Sequence, residues 1–149
     1  MAAPEGNQFW KKRTKHGPNT KFGDPDILWD ACCEYFDYVE NNPLWETRVA
    51  QSNGEPVDHL IPKMRAMTIG GLCVFIDVDQ STWEEYRKRN DLSRITRKVD
   101  AIIRDQKFSG AAAGLLNPNI IARDLGLTDK QETNHKGISI TVTDKDDRL

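Results

Sequence analysis

The side chains of this sequence best placed to do chemistry are its cations, and they are clustered. Lys11, Lys12, Arg13 and Lys15 lie close together, and with Lys21 they face only Glu5 across residues 1–22, a local charge of +4. Arg87, Lys88, Arg89, Arg94, Arg97 and Lys98 form a second group, opposed over residues 87–98 by Asp91 alone. The whole chain holds 21 Lys plus Arg against 23 Asp plus Glu, a net charge of −2. Two dense basic runs in a near-neutral chain are suited to the phosphates of a nucleic acid, although a charge run is more often a solvated face. Phe9 and Trp10, beside the first run, could stack or anchor.

Other reactive groups do not assemble into sites. Cys32, Cys33 and Cys73 contain no C-x-x-C pair, and His16, His59 and His135 have no ligand spacing. Neither a metal nor a cofactor is expected, and the cysteines read as buried, reduced thiols. Asp77-x-Asp79 could hold Mg²⁺, but the pair falls between two helical segments, where turn and capping chemistry explains it more simply. The sequence has no G-x-x-x-x-G-K-[ST], no G-x-G-x-x-G and no G-x-S-x-G. No nucleophile–base pair can be assembled either, so we expect a non-enzyme whose nucleotide chemistry belongs to a partner.

The elements that position the cations are legible from periodicity. With 149 residues, 38% of them hydrophobic, the chain has room for one modest core. No apolar run reaches the roughly 18 residues of a membrane span, and the start lacks a signal-peptide core, which predicts a soluble protein with no membrane partner. Residues 1–22 read as a flexible basic arm, 23–128 as a helical core, and 129–149 as a linker, a strand and an acidic tail. Asp24 and Pro25 open a helix whose apolar positions run from Ile27 to Val39 and which stops at Asn41-Asn42-Pro43. Ser52-Asn53-Gly54 predicts a β-hairpin near 46–61, with Pro56 confining its strand to an edge or cutting it short.

Thr68 is expected to cap an apolar helix to Ile76, and Ser81 to cap a second helix from Thr82 to Arg89 in a capping-box pattern. Trp83 and Tyr86, three apart, share the buried face of that second helix. This is helix-turn-helix anatomy, and alone it gives DNA binding even odds. Asp91 to Leu116 reads as one long helix, buried along Leu92, Ile95, Val99, Ile102, Ile103 and Phe108. It carries Arg94, Arg97 and Lys98 on one face. Its later half, Ser109-Gly-Ala-Ala-Ala-Gly-Leu-Leu116, is suited to another helix pressing close at Gly110 and Gly114, from this chain or a neighbour. A short helix follows at 119–125. Ile138, Ile140 and Val142 alternate with Ser139, Thr141 and Thr143 in a strand over 137–143. It must join the distant hairpin or pair with copies of itself, and several copies around an axis would close a barrel.

Several blocks together carry a family resemblance. Trp29-Asp-Ala-Cys-Cys-Glu-Tyr-Phe36, Asn42-Pro-Leu-Trp-Glu46, Lys63-Met-Arg-Ala-Met-Thr68, Phe75-Ile-Asp-Val78, Asp105-Gln-Lys-Phe-Ser-Gly-Ala111 and Asn119-Ile-Ile-Ala-Arg-Asp-Leu-Gly126 resemble the small terminase subunits of short-tailed, headful-packaging bacteriophages. The likeness covers roughly residues 1–128. It implies a mainly α subunit of a homo-oligomeric ring, with a helix-turn-helix-like core, a β-hairpin insertion and a C-terminal strand pairing between subunits at the axis. It also implies a late protein of the host cell cytoplasm that recognises a packaging start site on concatemeric viral double-stranded DNA. Its partner is a large terminase subunit supplying the ATPase and nuclease. Relatives continue past the strand into a basic tail, whereas Asp144-Lys-Asp-Asp-Arg-Leu149 is net acidic, so DNA contact falls to the basic arm and the basic helix face. A helix-turn-helix transcription regulator acting as a dimer is the alternative reading.

Overall fold

The computed structural model describes residues 22–129 and Gly137. Over these the chain folds as five helices and one antiparallel two-stranded ribbon: α1 (Pro25–Asn41), β1 (Leu44–Ser52), β2 (Glu55–Lys63), α2 (Ile69–Ile76), α3 (Gln80–Lys88), α4 (Ser93–Ala112) and α5 (Pro118–Asp124). The basic arm with Lys11, Lys12, Arg13 and Lys15, and the strand with Ile138, Ile140 and Val142, lie outside the described residues.

Local chemistry sets the ends of α1. Asp24 is extended and its Oδ1 accepts from the Asp26 amide at 2.9 Å, with Pro25 at the first turn. At the other end the Asn41 and Asn42 side-chain amides donate to the Asp37 and Tyr38 carbonyls at 2.8 and 2.9 Å, which satisfies carbonyls the helix leaves open. Leu28, Cys32, Tyr35, Phe36 and Val39 form its buried stripe. Ile27, which shares the apolar spacing, is 53% exposed.

The ribbon turns at Asn53-Gly54, both with positive φ (54° and 85°), as a two-residue turn matched to strand twist requires. Its ladder runs from Leu44↔Lys63 to Ser52↔Glu55 and is longer than the sequence suggests. Pro56 and Pro62 do not shorten it, because both strands of a ribbon have an outer edge where a missing N–H breaks no ladder bond. Almost every ribbon residue is exposed.

Thr68 caps α2, its Oγ1 accepting from the Gly71 amide at 2.9 Å. Asp77 ends that helix in the left-handed region (φ 60°), its amide donating to the Cys73 carbonyl. Only Val78 separates it from Asp79, which is the N-cap of α3: its backbone is extended and its carbonyl accepts from the Trp83 amide at 3.1 Å. Ser81 therefore sits inside the first turn and caps nothing, a correction to the sequence reading. The turn is simply shorter than the capping-box pattern implied.

The core gathers Leu28, Met67, Leu72, Ile76, Trp83, Leu92, Val99 and Ile103 from α1, α2, α3, α4 and the segments joining them. Two side-chain bridges tie its layers. The Tyr35 hydroxyl donates to the Thr68 carbonyl at 3.3 Å and accepts from the Thr68 amide at 3.1 Å. Gln106 accepts from the Met67 amide at 3.0 Å and donates to the Arg65 carbonyl at 2.9 Å, fastening α4 to the segment after the ribbon.

The far end of α4 differs from expectation. Phe108 is 54% exposed rather than buried, and the inward positions are Lys107 and Gly110. Lys107 pairs with Asp124 of α5 at 2.5 Å. The helix stops at Ala112, and Gly114 lies beyond it at φ 72°, where only glycine is unstrained. The close approach at Gly110 is made within the chain, by Met64 and Leu116, each 2.8 Å from where a Cβ would stand.

Candidate nucleic-acid interface

The six cations of the second basic group sit on the end of α3, the turn after it and the first turns of α4, and the structure separates them into two kinds. Arg87 faces inward between helices: its Nε and one Nη donate to the two Asp100 oxygens at 2.9 Å each, and it also pairs with Glu84. The bidentate bond to Asp100 holds its guanidinium charged more firmly than usual. Arg89 is paired with Asp91 at 3.0 and 2.5 Å and lies over the Tyr86 ring at 5.9 Å. Hydrogen bonding from Arg89 keeps the Asp91 carboxyl below the usual range. Both arginines are thus engaged by carboxylates of their own chain, which spacing alone did not indicate.

The other cations are turned to solvent. Lys88, Arg94, Arg97 and Lys98 are all exposed, and among the described residues none makes an ion pair. Arg97 steadies itself by donating from Nε to the Ser93 carbonyl at 3.2 Å. Lys98 sits with Nζ 3.8 Å from the centroid of the Trp29 ring, a cation–π contact that orders a long side chain while leaving the ammonium accessible. Arg94 and Lys98 line an open cleft of about 400 Å³ with Pro25, Asp26, Trp29, Asp91 and Ile95. About two helix turns further along the same exposed side stands Arg104, seven residues after Arg97, with Nη1 donating to the Leu125 carbonyl at 3.4 Å. Arg104 keeps the seven-residue spacing of that face, but in sequence it stands outside the dense run at 87–98 and beside Asp105. Trp29 had no sequence signal as a partner of Lys98, because the two lie on different helices.

Geometry allows the exposed face of α4 one kind of chemistry: multiple electrostatic contacts with phosphates, fixed in register by a helix. α3 is less suited to a DNA groove, since its exposed positions include Glu84 and Glu85, which repel phosphate. Asp77 and Asp79 serve as the cap residues between α2 and α3. Among the described residues no cluster of three or more His, Cys, Asp or Glu is placed to hold a metal. Burial pushes the Cys32 thiol up to about 12, and Cys73 to about 11. Cys33 is raised too, first by desolvation and then by Asp30 and Asp37, but it alone of the three is partly accessible. Titration with a thiol reagent at pH 8 should modify Cys33 first and reach Cys32 and Cys73 only on unfolding. Prompt reaction at all three would show that the core opens readily.

These features define a class: a small, mainly helical protein with one exposed basic helix and an outlying β-ribbon. Comparison with known proteins narrows that class. The family model described as DNA-packaging protein gp3 matches residues 17–133. The chain is also 54% identical over 148 residues to the small terminase subunit of Salmonella phage P22, covering 99% of this chain and 90% of that relative. The chain belongs to the gp3 family of DNA-packaging proteins, the small terminase subunits.

Proposed function

We propose that this small terminase subunit is the DNA-recognition component of a phage packaging motor and is not itself catalytic. Copies assemble as a ring, bind the packaging start site on concatemeric viral double-stranded DNA, and recruit and regulate a large subunit that supplies the ATPase and nuclease. The work takes place in the host cell cytoplasm, and no described helix is long and apolar enough to cross a membrane. The observation that carries the reading is the face of α4, where Arg94, Arg97 and Lys98 stand exposed with no ion-pair partner among the described residues, in a chain of net charge −2. A ring presents that face many times over, so individually weak phosphate contacts add on one DNA molecule. The basic arm, with Lys11, Lys12, Arg13 and Lys15, extends the same surface, and the strand with Ile138, Ile140 and Val142 joins subunits at the ring axis.

Two measurements on the purified full chain test this. Light scattering on a sizing column should give a sharp species at a high multiple of the 17.0 kDa chain. DNA affinity, followed by fluorescence anisotropy, should fall about 10³-fold between 50 and 200 mM salt if six phosphates are neutralised. A clean dimer with a shallow salt slope would instead point to a transcription regulator, a reading that the exposed Glu84 and Glu85 of α3 already disfavour.

A further inference from the structure

Two exposed apolar surfaces lie on different parts of the chain and have no partner among the described residues. One is a face of the ribbon. Its register puts Thr47, Val49, Leu60 and Pro62 on the same side, and Val49 and Leu60 are 67% and 61% exposed. The opposite side carries the ribbon's ion pairs, with Glu46 accepting from Arg48 and from Lys63 at 3.1 Å. The second surface is the corner where α4 ends and α5 begins. There Phe108, Leu115 and Ile120 are 54%, 62% and 64% exposed. A soluble chain leaves large apolar groups open in this way where something else covers them. An isolated two-stranded ribbon is itself only marginally stable in water, which makes an outside contact all the more needed.

We infer that the apolar face of the ribbon packs against the α4–α5 corner of a second copy of this chain. The charges beside the two surfaces are complementary. Asp58 stands opposite Val49 on the ribbon face, whereas Arg104 lies one turn before Phe108, and Arg123 follows Ile120 on α5. The Arg104 bond to the Leu125 carbonyl holds that cation at the corner. Two different surfaces that fit each other make a head-to-tail contact, and repetition of such a contact about an axis closes a ring. The inference rests on the ring reading above and adds the surfaces that join its members.

Two pairs of substitutions at exposed sites, made in the full chain, separate this inference from the ring reading. V49K/L60K spoils the ribbon face, and F108E/I120E spoils the corner, with circular dichroism confirming that each still folds. Light scattering of each variant alone should show the high multiple lost and the mass falling toward the 17.0 kDa chain. Each variant keeps one good surface, so an equimolar mixture should pair ribbon to corner at about twice that mass, and any further growth through the C-terminal strands should be lost on dilution before the pair is. Wild-type protein that never exceeds a dimer overturns the ring reading and this inference with it. Variants that keep the wild-type ring mass at every dilution overturn the contact alone. Overturning it equally are variants that dissociate but do not pair when mixed, or that keep their ring and lose only association with the large subunit.

Discussion

Replacing Trp83 by alanine should cost about 3–5 kcal/mol of folding stability, the usual range for deleting a fully buried indole. Trp83 is 0% exposed, and it holds α3 against the body of the protein beside Tyr86, whose ring lies edge-on at 6.3 Å. A whole domain of ordinary stability has about 5–15 kcal/mol, so this loss would lower the unfolding midpoint by roughly 6–20 °C. The phenylalanine variant discriminates between causes. The Trp83 Nε1 is buried and has no hydrogen-bond partner among the described residues, so its removal forfeits no bond there and relieves an uncompensated polar group. W83F keeps one aromatic ring in the site and should therefore cost less than W83A. Thermal and urea unfolding at one fixed protein concentration would check both, since any assembly makes the midpoint depend on concentration. An alanine variant within about 1 kcal/mol of wild type would mean that the α3 packing described above is wrong.

The second large effect concerns DNA. R94A/R97A/K98A should weaken binding at least tenfold at 100 mM salt, on the order of 1.4 kcal/mol or more. It should also flatten the plot of log affinity against log salt by about 0.9 for every phosphate contact removed. R87A is the informative control. Arg87 belongs to the same basic run, but its guanidinium is taken up by Asp100 and Glu84. R87A should leave the salt slope unchanged while loosening α3 from α4. If R87A flattened the slope as much as the triple variant does, the division of the cations into paired and free would be refuted.

The parts of the fold that were legible in the sequence are those fixed by neighbouring residues. Asp24-Pro25, Thr68 and Asn53-Gly54 each act within three or four positions, and each does locally what its chemistry implies. The misreadings fall where two local solutions compete or where a distant partner decides. Asp79 and Ser81 are both good caps, and the tight turn after Asp77 selects the earlier one. The small residues after Ser109 read as the packed later half of a helix reaching Leu116, whereas the left-handed Gly114 lies beyond a helix that stops at Ala112. Phe108 fits the spacing of the apolar stripe, but the rotation of α4 places Lys107 inward, where Asp124 can meet it. Arg87 and Asp100 are thirteen residues apart and meet only because α3 packs on α4. Local sequence gives the number of cations available to a DNA phosphate; tertiary pairing decides how many remain free.

The ribbon also has a consequence in time. Its ladder joins residues close in sequence, so it can form within about 1–10 μs, ahead of the packing among distant helices. The same independence lets it open without disturbing Trp83 or the helices around it. In a lone subunit its amides should exchange with solvent long before those of α4, and among the described residues a protease should cut first near Asn53. Among the described residues, the outlying ribbon is thus the part of a lone chain that opens most readily. If copies assemble as proposed above, each contact that covers the ribbon removes this opening, so amide exchange in the ribbon should slow as protein concentration rises.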